Sequence, residues 1–214
     1  MKHLMTTMAT AAVCALGAPA GADMVDFVSH SAASTEGLGS YVGSLDWTWD
    51  GASLFGTLDV SITNTTDVSI GGFLVALAFE PSHIASGATA TLASADDASF
   101  LNFAAPENAS PFGMYSAGAG LEASFHGGGN PSDGLGIGET GNFSFTVTAL
   151  AAADLASVSA ADFLGSLDDH PFIVRFRGMA DGTAGSDKVP AMAIPGVAGF
   201  ACLGLGGFVR RRRG

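Results

Sequence analysis

The stretch LDWTWDGASLFGTLDVSIT, residues 45–63, decides the fold. Leu45, Trp47 and Trp49 alternate with Asp46, Thr48 and Asp50. After Gly51, the residues Leu54, Gly56, Leu58, Val60 and Ile62 alternate with Phe55, Thr57, Asp59, Ser61 and Thr63. A period of two sends successive side chains to opposite faces of an extended chain, so these runs read as two antiparallel strands. Working outward, Asn64-Thr65-Thr66-Asp67 supplies turn chemistry, Gly71-Gly72 a kink, and Phe73 to Phe79 a mostly apolar strand. Shorter strands are predicted at Ser99 to Phe103 and Leu121 to Phe125. Phe143, Phe145 and Val147 mark one face of a further strand, and Phe172, Val174 and Phe176 one face of another. Ser159-x-x-Asp162 has the spacing to cap a short helix through Leu164. Many short strands, glycine-rich turns and almost no helix predict an all-β protein, an antiparallel β-sandwich of jelly-roll or immunoglobulin-like connectivity.

Composition narrows the function. Of 214 residues, 13% are charged and 48% hydrophobic, and 30 are glycine, which excludes a charge-rich disordered chain and a helical bundle of Glu, Lys and Leu. A formal charge of −12 and a pI near 4.4 exclude nucleic acid as a partner, because phosphate binding requires a basic face.

Both ends read as addresses. Residues 1–22 begin with Lys2, continue through an apolar stretch from Leu4 to Leu16, and close on Ala20-Gly21-Ala22, the pattern of a secretory signal peptide cut after Ala22. Signal peptidase is therefore an expected partner, with Ala20 and Ala22 as its recognition residues. At the other end, residues 190–214 follow Val189 with Pro190, Pro195 and Gly196, an apolar run to Val209, and the cluster Arg210, Arg211, Arg212 and Arg213. From Ile194 to Val209 a helix would be ~24 Å long against a hydrocarbon core of ~30 Å. The arginines would hold its end on the cytoplasmic side and leave the body outside the inner membrane. Between the ends, residues 23–189 form the predicted sandwich body. It contains all 20 acids but, of the bases, only Arg175, Arg177 and Lys188, a formal charge of −17. Cys14 and Cys202 both fall outside it, so the body is expected to be stabilised by packing without a disulfide.

The order of proline, apolar run and arginine cluster, with the run GFACLGLGGFVRRRR, resembles the PEP-CTERM sorting tails of exported Gram-negative proteins. Val189-Pro190-Ala191 or Ile194-Pro195-Gly196 stands where that family has Pro-Glu-Pro. The resemblance implies an exosortase-like membrane enzyme as partner and an envelope or extracellular-matrix destination. The patches SLFGTLDVSITNTTD, GGFLVALAFE, GIGETGNFSFTVTAL and FIVRFRGM are similar to the body domain that often precedes such tails.

Within the body, chemistry-bearing motifs are weak. Gly136-Ile137-Gly138-Glu139-Thr140-Gly141 matches a dinucleotide-binding pattern, but a strand follows it where a helix N-terminus is needed, so it reads as a turn before Phe143. Asp46, Asp50 and Gly51 match positions of a calcium loop that Thr48 and Thr57 interrupt. Trp47 and Trp49 fit a buried strand face, with an exposed sugar platform as the alternative. Asp168-Asp169-His170 and Asp96-Asp97 read as surface turns, with Ca²⁺ binding or orientation of a base by either as the alternative. His30, His83 and His126 lack the paired spacing of a zinc helix. No Gly-x-Ser-x-Gly elbow is present. Arg175 and Arg177, two apart, are expected to compensate charge across strands.

No catalytic residue, cofactor or metal site is assigned. The expectation is an exported, non-enzymatic structural or adhesive protein of the cell envelope, with exopolysaccharide as a candidate partner. The alternative is a secreted carbohydrate- or calcium-binding module using Trp47, Trp49, Asp168, Asp169 and His170.

Overall fold

The computed structural model describes residues 23–166, 169–180 and 185–194. In chain order the strands are β1 (Asp23–Ser29), β2 (Tyr41–Thr48), β3 (Phe55–Asn64), β4 (Gly71–Phe79), β5 (Thr89–Ala95), β6 (Phe100–Asn102), β7 (Glu107–Asn108), β8 (Met114–Tyr115), β9 (Ala117–Leu121), β10 (Thr140–Thr148), β11 (Phe172–Met179) and β12 (Ser186–Ala193). One short helix, α1 (Ala152–Leu155), and several single 3-10 turns join them. Ten strands pair in the order β5-β10-β3-β2-β1-β12-β11-β4-β9-β6, each antiparallel to its neighbour, and β7-β8 forms a separate small hairpin. The sheet folds on itself as a sandwich close to a barrel. Its edges approach each other where the Leu92 N–H of β5 donates to Asn102 Oδ1 of β6 at 2.8 Å.

Alternation along each strand builds the core. In β3, Gly56, Leu58, Val60, Ile62 and Asn64 are buried while Phe55, Thr57 and Asp59 are exposed. In β10, Phe143, Phe145 and Val147 point inward, and in β11 so do Phe172, Val174 and Phe176. Phe79 joins the leaves, meeting Phe145 edge-on at 5.0 Å and stacking on Phe172 at 6.3 Å. Full burial of each such ring contributes ~1.5–3 kcal/mol. β4 is a near-continuous apolar run for a different reason: both its faces are covered. Leu74, Leu77 and Phe79 enter the main core, whereas Ala76 and Ala78 pack under Phe103, Ala109, Tyr115 and Phe125 in a second cluster with Ile173.

The outer cluster is tied down by the body's bases. Arg177 donates to the carbonyls of Gly127 and Gly128, Lys188 to that of Ser110, and Arg175 contacts His126 Nδ1 at 3.1 Å. Cross-strand compensation is not what the register provides. Arg175 lies between Ala76 and Lys188, and Arg177 between Phe73 and Ser186. Burial first, and Arg175 second, lower the pKa of Lys188.

Three local readings change. Glu122 to Phe125 is a turn, and Leu121 is instead the last residue of the strand AGAGL, β9, whose small residues carry no periodic signal. The helix expected after Ser159 is a 3-10 turn, Ala160–Phe163, in which Asp162 accepts from the Ser159 N–H and hydroxyl at 2.7 and 2.8 Å. The last strand runs on to Ala193, past the boundary drawn at Val189. There Val189 and Pro190 are buried, Pro190 pairs with Ile173, and Ala191 to Ala193 pair with β1.

One end of the sandwich gathers the β2–β3, β4–β5 and β10–β11 connections. The described chain enters there at Asp23, whose carboxylate accepts from the Ala160 N–H at 2.8 Å. Because β12 is antiparallel to β1, it leaves toward the same end through Ile194, whose N–H donates to Asp26 O.

Candidate functional site

Trp47 is 3% exposed and packs on Phe163 with ring centroids 5.4 Å apart. Gly56 makes room for it, since a Cβ there would sit 2.2 Å from the indole. Trp49 is partly buried against the core and donates through Nε1 to Ser53 O at 2.9 Å. The two indoles therefore form no open platform, and the sugar-binding reading loses Trp47 because the ring is inside. Asp50, the neighbouring calcium-loop candidate, accepts from the Ala52 and Ser53 N–H groups and from the Ser53 hydroxyl. Those bonds, Ser53's backbone first, lower its pKa; the carboxylate closes its own loop.

Asp168 lies outside the described residues. Asp169 is exposed and accepts from the Ser166 hydroxyl at 2.6 Å. His170, with a positive φ of 47°, turns away from it toward Phe112 and His30, at centroid distances of 5.4 and 6.3 Å. Its carbonyl accepts from Tyr115 OH at 2.6 Å. Burial first and Glu80 second raise the Tyr115 pKa, so the phenol stays a donor here. The Nδ1 atoms of His30 and His170 are buried without a hydrogen-bond partner among the described residues. A histidine 140 positions away in the chain, His30, packs beside His170, while Asp169 turns to Ser166. Gly136 to Gly141 forms the turn entering β10, where Glu139 accepts from the Gly136 N–H at 2.7 Å.

The polar concavity that the strands do build lies on the outer face of β1, β2, β3, β10 and β5. It is a shallow groove of about 270 Å³. Across it run Met24, Asp46, Asp59, Ser144 and Ser94 in one row, each in register with the next. Ser44, Ser61 and Asn142 form the adjacent row, and Asn142 Nδ2 donates to Asp96 Oδ2 at 2.6 Å. Asp46 and Asp59 stand directly opposite on neighbouring strands, a like-charge pair that a sheet disfavours. Asp46 Oδ1 is buried without a partner among the described residues. In the sequence Asp46 reads as an outward strand residue and a calcium-loop position, and Asp59 as an outward strand residue. No run of sequence joins these two carboxylates to Ser94 and Asn142; pairing of four separate strands does.

The arrangement can accept hydrogen bonds from hydroxyl or ammonium groups, or receive a cation. Among the described residues no group of three or more His, Cys, Asp or Glu is disposed to hold a metal ion, and no described helix is long and apolar enough to cross a membrane. Ala20, Ala22, Pro195, Gly196 and Arg210 to Arg213 lie outside the described residues. Compared with protein-family models, curated proteins and solved structures, the chain matches none.

Proposed function

We propose that this chain is an exported, non-enzymatic structural or adhesive protein of the cell envelope, directed by an N-terminal signal peptide and a C-terminal sorting tail. The observation that carries the reading is the position of the two exits. The strands occupy Asp23 to Ala193, and both exits lie at one end of the sandwich. A precursor held in a membrane through both segments would need its two exits on one side, as they are here. His170, in ring contact with His30 and Phe112, is arranged as a packed residue more than as a base set against a nucleophile. Since Val189 and Pro190 are paired within β12, a sorting enzyme would act beyond Ala193, at Ile194-Pro195-Gly196. Replacing Arg210, Arg211, Arg212 and Arg213 with Ser is expected to leave unprocessed precursor, heavier by the tail on a gel of fractionated cells. Processing and localisation like the parent would overturn the reading.

A second reading, a carbohydrate- or calcium-binding module, is favoured by the facing carboxylates of Asp46 and Asp59 in the groove. On that reading, millimolar Ca²⁺ raises the melting temperature at constant ionic strength while Mg²⁺ does not, or a neutral oligosaccharide does so. The double variant Asp46→Asn, Asp59→Asn would abolish the rise. An identical response of the variant and the parent would remove the groove from consideration.

A further inference from the structure

We infer that the end of the sandwich from which the chain exits is a membrane seat, its occupant the surface of a lipid bilayer. This rests on the reading of the tail as a membrane segment. The argument begins with the distance available. β12 ends at Ala193, and the apolar run of the tail begins at Ile194, so no spacer separates sheet from apolar segment. If that run lies in a bilayer, the end of the body toward which it leaves is held close to the surface: Ala193 is level with Phe27, four residues short of Asp23, and each residue spans ~3.3 Å of extended chain. The end in question bears the β2–β3 and β10–β11 connections. These present Leu54, Phe55 and Leu150 to solvent at 49%, 56% and 75% exposure, and Met24 beside the entry of the chain is 66% exposed. Leu54 and Leu150 flank one junction, where the Ala149 N–H donates to Leu54 O at 2.8 Å.

Apolar side chains on the loops of a polar, acidic body are costly to leave in water and gain by entering the boundary between headgroups and acyl chains. Four acids near this end are turned to local amides. Asp50 accepts from Ala52 and Ser53, Asp154 from Ala151, Asp162 from Ser159, and Asp23 from Ala160. With the body as acidic as it is, the seat favours a zwitterionic surface over an anionic one.

The test uses the full chain in vesicles of brominated phosphatidylcholine, with an indole introduced as Phe55→Trp or, at the opposite end, Val68→Trp, a site 82% exposed. Flotation that is lost on deleting residues 195–214 reads the tail, and bromine quenching of the added indole reads the seat. The expected result is flotation of both variants with quenching at position 55 at least threefold that at position 68. Flotation with equal quenching would overturn the seat and leave the tail reading standing. Failure to float would overturn the tail reading and the seat with it. A blue-shifted Phe55→Trp emission without vesicles that reverts on deleting residues 195–214 would show the chain's own tail covering the patch, and would also overturn the lipid seat.

Discussion

Asp187 is fully buried, and its carboxylate accepts four hydrogen bonds: from Thr35 Oγ1 and the Glu36 N–H at 2.9 Å through Oδ1, and from the Leu38 and Gly39 N–H groups at 2.8 and 2.9 Å through Oδ2. It thereby orders the whole segment between β1 and β2. Gly39 is required where this segment crosses β11, because a Cβ would fall 2.4 Å from the Phe176 ring. Changing Asp187→Asn sets an amide NH2 against N–H donors and leaves at least one buried donor unmet. The expected loss is about 3 kcal/mol, or roughly 10 °C in melting temperature for a domain of this size. Urea unfolding should show the lower midpoint with an unchanged slope; a shift under about 0.5 kcal/mol would contradict the role given to the carboxylate.

At the scale of elements, Glu80 links the end of β4 to the start of β9. It accepts from the Ser82 N–H at 3.1 Å, and from the Ser116 N–H and hydroxyl at 2.9 Å. Burial acts to raise its pKa, but the bonds from Ser82 and then Ser116 outweigh it and bring the carboxyl below its ordinary value. A folded pKa below the unfolded one contributes stability that is present above the unfolded value of about 4.3 and is lost as pH falls through the lower folded value. Glu80→Gln should therefore reduce stability at pH 7 and flatten its decline in acid. Solvent screening of this partly exposed group keeps the difference under about 1 kcal/mol. Denaturant titrations from pH 7 to pH 3 would show it as converging curves for parent and variant at the acid end. Parallel curves would mean that the linkage contributes nothing.

For the whole molecule, charge is the dominant asymmetry. Twenty acids face three bases in residues 23–189, and those bases lie together on β11 and β12 with their heads on the loops over the outer cluster. The rest of the surface is left to self-repulsion, which salt screens. The melting temperature is expected to rise between ~10 mM and ~0.5 M NaCl, over which the Debye length falls from roughly 30 Å to below 8 Å. A flat response would show that the acids are too dispersed to weaken the folded state.

The sequence by itself determined the all-β class and the inward faces of β3, β10 and β11. There a two-residue period decides burial locally, so Leu58, Phe145 and Val174 could be assigned without knowing their neighbours. It also set the acidity of the body. Only the tertiary structure decided the rest. β9 is a strand because small residues let it lie against β4 beneath Phe103, a property of packing that AGAGL does not advertise. Asp46 and Asp59 became a facing pair through registration of β2 on β3, and His170 met His30 across the sandwich, while its chain neighbour Asp169 turned to Ser166. β12 extended to Ala193 because β1 offered it a partner strand. A strand's face is a local property of the chain, whereas groove, clusters and exits depend on which strands pair, and pairing is settled by long-range contacts alone.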